Sequence, residues 1–232
     1  MDQIRYIAFD ADDTLWHNER IFTETQEKFR KLLGEYRDQE WINRKIYATE
    51  KRNLQFFGYG IKGFTLSMIE TAIELTEGHI TGSEVRQIIG FAKEMLKRPV
   101  QLLDHVQATL ERVFRTHELI LVTKGDLFDQ ESKILSSGLG EYFSHIEIVS
   151  EKNETVYRRI LAEQGIDPRQ FLMVGNSLRS DILPVLTIGG NAVYIPYFTT
   201  WEHEKVEAKQ GGGRDFVQLE HIGLLPDLFE GQ

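Results

Sequence analysis

Phe9-Asp10-Ala11-Asp12-Asp13-Thr14-Leu15 closes an apolar run that begins near Arg5, and it sets two carboxylates two residues apart where the run stops. A short apolar run bounded in this way reads as a strand buried on both faces. Period-two alternation points Asp10 and Asp12 the same way if the chain stays extended, and a turn there would separate their roles. In an open parallel sheet, residues just past the carboxyl ends of the strands share one crevice.

The same kind of run recurs at Leu119–Val122, Ile146–Val149, Phe171–Val174 and Ala192–Ile195. Between these runs, Leu102, Leu103, Val106, Leu110, Val113 and Phe114 repeat at helical spacing, as do Val156, Ile160 and Leu161. Strand alternating with helix specifies an α/β fold with a doubly wound, mainly parallel, Rossmann-like sheet. From about Trp16 to Lys97 the alternation fails. There the apolar stripes are helical: Phe22, Thr25, Phe29, Leu32, Leu33 and Tyr36; Leu66, Ile69, Ala72 and Ile73; Val85, Ile88, Ile89, Ala92, Met95 and Leu96. The expectation is an all-helical cap over 16–97 inserted after the first strand, with the catalytic core formed by 1–15 and 98–232. Pro99 marks the return, because a helix stops before proline. Gly58-Tyr59-Gly60-Ile61-Lys62-Gly63 reads as a loop joining cap helices. Gly211–Gly213 lacks the Lys-Ser/Thr that would make it a phosphate loop and reads as a linker.

With 232 residues, 41% hydrophobic and 27% charged, the chain can bury a substantial core. A net charge of -9 argues against a nucleic-acid partner, whose affinity needs an extended basic surface. No stretch of about 18 apolar residues suggests a membrane span. The absence of cysteine removes disulfides and thiolate chemistry and fits a reducing compartment. A cytoplasmic location is expected, and nothing in the sequence sets the oligomeric state.

The strand ends carry Asp10, Asp12 and Thr14; Thr123 and Lys124; Glu151 and Lys152; and Gly175-Asn176-Ser177-Leu178-Arg179-Ser180-Asp181. Two carboxylates facing a phosphate repel it and each other by roughly 4 kcal/mol per pair at about 4 Å and an effective dielectric of about 20. Lys152 offsets one charge, and Asp10 with Asp181 can hold Mg2+, which takes a few carboxylate oxygens together with water and phosphate. Residue chemistry then assigns Asp10 as nucleophile toward phosphorus and Asp12 as acid and base. Asp12 starts from a reference pKa of about 3.9, and a neighbouring phosphate dianion raises it. Thr123 and Lys152 bind phosphate, and Lys124 is the rival cation.

Asp10-x-Asp12-x-Thr14, Val122-Thr123-Lys124-Gly125, Lys152 and Gly175-Asn176-Ser177-x-x-x-Asp181 together resemble the haloacid dehalogenase-like hydrolase superfamily. The resemblance runs from roughly residue 5 to 200, and the helical insertion looks like that family's C1-type cap. It implies Asp10 as nucleophile, Asp12 as acid/base, Thr123 and Lys152 at the phosphate, and Asp10, the Asp12 carbonyl and Asp181 as magnesium ligands. Asn176 stands where relatives often carry aspartate, so it is a metal ligand or acts through water.

Around this set, Asp126 reads as a helix N-cap and Asp13 as a solvated or capping residue. Ser177 reads as a loop stabiliser, and Trp16 and Trp201 as packing residues. The histidines, His203 among them, have no zinc-binding spacing. Tyr59, Lys62 and Phe64 are candidates for substrate selection from the cap. The expected activity is a magnesium-dependent phosphatase acting on a small phosphorylated metabolite. The alternatives are a phosphomutase or dehalogenase of the same superfamily, or a non-catalytic phosphate-binding or phospho-acceptor protein. Asp12 argues against a dehalogenase, in which no leaving alkoxide needs a proton.

Overall fold

The computed structural model describes residues 1–198 and 216–229. Trp201, His203, the glycines 211–213 and residues 199–207 lie outside the described residues. The chain divides into two compact units, one of Met1–Glu19, Val100–Lys124 and Gln130–Gln232, the other of Arg20–Pro99 and Gly125–Asp129.

The first unit is built on six parallel strands: β1 (Tyr6–Phe9), β2 (Glu118–Lys124), β3 (His145–Val149), β4 (Phe171–Gly175), β5 (Asn191–Tyr194) and β6 (Val217–Gln218). Their order is β3-β2-β1-β4-β5-β6. Phe9 at the end of β1 lies level with Leu121 of β2 and Val174 of β4. Each central strand feeds two apolar layers. Ile7, Phe9, Leu119, Leu121, Leu172 and Val174 face one side, where Val106 and Leu110 cover them. Ala8, Ile120, Val122, Phe171 and Met173 face the other, beneath Tyr157, Ile160 and Leu161. That double burial is why these strands read as unbroken apolar runs.

The second unit holds α1 (Glu19–Leu33, whose first residue falls in the other unit), α2 (Gln39–Phe57), α3 (Ile61–Leu75) and α4 (Gly82–Lys97). Phe29, Leu33, Ile42, Ile46, Phe64, Met68, Ala72, Ile88 and Met95 form its core. Asp38 caps α2 by accepting the Trp41 N–H. Thr81 and Glu84 close a capping box on α4, which ends at Lys97 ahead of Pro99. The remaining α-helices among the described residues are α5 (Val106–Val113), α6 (Leu127–Ser137), α7 (Glu154–Glu163) and α8 (Leu183–Thr187).

Three details differ from the sequence expectation. Trp16 does not open the helical unit; it is buried in the core of the sheet unit and bridges to Leu102. Gly63 is not in a loop but in the first turn of α3, where a Cβ would come within 2.8 Å of the Gly58 carbonyl oxygen. Leu66, Ile73, Ile89 and Leu96, all part of the apolar stripes, are exposed.

Candidate active site

Strand order reverses between β1 and β4, which opens a crevice beyond their carboxyl ends. Asp10 leaves β1 at that point, its N–H donating to the Val174 carbonyl of β4 at 2.9 Å. The Thr14 hydroxyl donates to Asp10 Oδ2 at 3.0 Å and lies 3.4 Å from Asn176 Oδ1. The Lys152 ammonium pairs with Asp10 Oδ1 and, at 2.8 Å, with Asp181 Oδ1. All three side chains are buried, and two carboxylates therefore converge on one cation.

Asp181 arrives by an unusual local path. Residues Leu178–Ile182 form a π-helical turn, a form that recurs at functional sites. The Ser177 hydroxyl accepts the Ser180 N–H at 3.0 Å at its start, and Asp181 Oδ2 accepts the Ser177 N–H at 3.0 Å. The carboxylate is thereby folded back onto Gly175, where a Cβ would lie 2.3 Å from Asp181 Oδ2. Only glycine fits there. Burial raises the Asp181 pKa above the ordinary carboxylate range, and Lys152 pulls it back. Burial also disfavours the Lys152 ammonium, but Asp10 and Asp181 outweigh it and hold that group above the ordinary lysine value.

Asp12 has a separate set of partners. Its Oδ1 accepts from Trp16 Nε1 at 2.6 Å, its Oδ2 from Gln130 Nε2 at 2.9 Å, and both oxygens from Lys133 Nζ at 2.8 Å. Thr123, buried on β2, donates its hydroxyl to Gln130 Oε1 at 3.2 Å. Asp13 adopts a left-handed φ of 63°, which aspartate tolerates better than most residues. It accepts the N–H groups of Asn18 and Glu19 at 2.8 and 3.0 Å, so it caps the start of α1. It is buried rather than solvated. Burial pushes its carboxyl up to about 7, against those two N–H groups.

The other expected site residues have the following surroundings. Lys124 contacts Glu151 Oε1 at 3.4 Å and Ser180 Oγ at 3.2 Å, which makes it a brace between the loops after β3 and β4. Asp126 accepts the Asp129 N–H at 3.1 Å and pairs with Lys62 at 2.9 Å. Lys62 also lies 5.4 Å from the Phe128 ring centre. Tyr59 is half-buried in the turn between α2 and α3. Phe64, expected to face substrate, is instead buried in the core of the helical unit, 5.2 Å from the Phe22 ring, because α3 turns it inward. Gln130 and Lys133 were not evident from sequence. The available signal was their i, i+3 spacing on the helix that follows Thr123.

Among the described residues no three His, Cys, Asp or Glu side chains form a single metal-ligand group. A cation would rest on two carboxylates, Asp10 and Asp181, completed by neutral oxygens. Their convergence on the Lys152 ammonium and the room left by Gly175 fit that arrangement.

A family model described as haloacid dehalogenase-like hydrolase matches residues 4–185. N-acylneuraminate-9-phosphatase of Mus musculus is 26% identical over 200 residues, covering 82% of this chain and 81% of its own. Glyceraldehyde 3-phosphate phosphatase of Pyrococcus furiosus is 28% identical over 115 residues, 47% of this chain and 45% of its own. The crystal structure of a haloacid dehalogenase-like family hydrolase from Xanthomonas campestris superposes with a TM-score of 0.86 at 38% identity, covering 97% of this chain and 94% of that one.

Proposed function

The chain belongs to the haloacid dehalogenase-like hydrolases, and from that membership we propose that it is a magnesium-dependent phosphatase that hydrolyses a small phosphorylated metabolite through an aspartyl phosphate on Asp10. The reading is carried by the two carboxylates beyond β1, which have different partners: Asp10 shares a buried cation with Asp181, whereas Asp12 is held by Trp16, Gln130 and Lys133. That difference supports Asp10 as the nucleophile and Asp12 as the proton carrier.

Mg2+ held by Asp10, the Asp12 carbonyl and Asp181, with Asn176 as a further oxygen donor, would offset phosphate charge and polarise its oxygens. The chain's own groups do the rest. Thr14 fixes one Asp10 oxygen through its hydrogen bond. Asp10 attacks phosphorus, and the P–O bond to the alcohol breaks as the new bond to the carboxylate forms. Asp12 gives its proton to the departing alkoxide. Water then attacks the acyl phosphate and passes a proton to Asp12, which frees inorganic phosphate and restores both carboxyl groups. Lys152 neutralises charge near the transferring group. A halide leaves without a proton, so dehalogenation would give Asp12 nothing to do.

The phosphatases that resemble this chain bear the names of small phosphorylated substrates. The acidic balance of -9 suits such a substrate better than a polyanion. Release of phosphate from a chromogenic phosphomonoester, with and without magnesium, tests the reading. Magnesium-dependent turnover is expected, and none at high protein concentration would overturn it.

A further inference from the structure

Lys133 and Gln130 lie in the sheet unit on one face of α6, and both reach Asp12 across more than a hundred residues of sequence. Lys133 grips both carboxylate oxygens at 2.8 Å, which fixes the rotation of the carboxyl plane as well as its position. Gln130 is buried, and its amide can sit only one way round. Its Oε1 takes the Thr123 hydroxyl at 3.2 Å, so its Nε2 faces two acceptors, Asp12 Oδ2 at 2.9 Å and the Lys124 carbonyl at 3.4 Å. Lys133 also donates to Asn18 Oδ1 at 3.3 Å, and the Asn18 N–H binds Asp13, so the same ammonium ties down the far end of the loop that carries Asp12.

We propose that Lys133 and Gln130 are positioning residues that act through Asp12, fixing its carboxyl group and stabilising the carboxylate left once the proton has gone. The inference rests on the phosphatase reading above. The donor set suits the interval between the two half-reactions. Asp12 has then lost its proton to the alcohol and has not yet taken one from water, and the negative charge it carries is met by one ammonium, one indole N–H and one amide. Thr123 enters the same chain by donating its hydroxyl to Gln130 Oε1.

The test compares, for each variant against wild type, two esters that differ in their need for an acid. β-Glycerophosphate expels an alkoxide that must be protonated, whereas dinitrophenyl phosphate expels a phenolate that needs no proton. For each, kcat/KM reports the steps up to departure of the alcohol. K133M is expected to lower kcat/KM for β-glycerophosphate about ten-fold or more beyond any fall with dinitrophenyl phosphate, within the range that general acid catalysis supplies. K133R, which keeps charge and a two-point contact, is expected to recover most of that loss, and Q130L to show the same selective loss. Thermal unfolding of each variant identifies any that fails to fold, and K133R keeps the question decidable if Q130L does. Equal losses on both esters, or no loss on either, would overturn the proposal. A wild-type protein inert toward both esters would overturn the phosphatase reading itself, which separates the two failures.

Discussion

Asp10 and Asp181 both accept from the Lys152 ammonium, and all three are buried. Two carboxylates close together in such a place repel strongly, and the Lys152 ammonium between them offsets that repulsion. Removing one partner of a buried pair leaves charge uncompensated. Lys152→Met is therefore expected to destabilise the protein by roughly 3–5 kcal/mol, read by urea unfolding without magnesium; a change well under 1 kcal/mol would show the pair contributes little. Gly175→Ala drives a methyl into the Asp181 carboxylate, and overpacking of this kind costs about 1–3 kcal/mol. The measurement is the shift in unfolding midpoint, together with weaker magnesium dependence of activity. The convergence of Asp10, Lys152 and Asp181 was legible because strand ends bring them together whatever the helices do. Gln130 and Lys133 were not, since contact with Asp12 depends on how α6 packs, and the same holds for the inward turn of Phe64.

Helix α2 shows why part of the helical unit escaped sequence reading. Its inner face is Ile42 and Ile46, then Thr49, Glu50 and Asn53. Asn53 meets Ser67 of α3 at 3.2 Å, so half the helix contact is polar and leaves no apolar stripe. Strand β6 escaped for a different reason: two residues carry no period. Burial pushes the Glu50 carboxyl up to about 7 from 4.5. Between those values the native chain binds more protons than the unfolded one, so this group's contribution to stability falls as pH rises through the window. Glu50→Gln removes the effect. Relative to wild type, the variant is expected to gain roughly 1–3 kcal/mol in urea-unfolding stability as pH goes from about 4.5 to about 7. A pH-independent difference would show that Glu50 ionises normally.

The whole chain couples a sheet unit, whose strand order fixes where the crevice opens, to an inserted helical unit. The alternation of apolar runs and helical stripes made the sheet readable, since parallel strands buried on both faces cannot hide their composition. The crevice at the β1–β4 reversal follows from that topology, and the acidic loop after β1 follows from where Phe9 ends the strand. Covalent phosphorylation of Asp10 is the central claim. It is tested most directly by mass spectrometry of acid-quenched Asp12→Asn protein mixed with dinitrophenyl phosphate and magnesium, since that ester needs no acid for the first step and the variant lacks the base for the second. One phosphoryl group on the peptide containing Asp10, absent when Asp10 is also changed to Asn, is the expected result. An unmodified Asp10 peptide, from a protein whose wild type turns over the same ester, would contradict it.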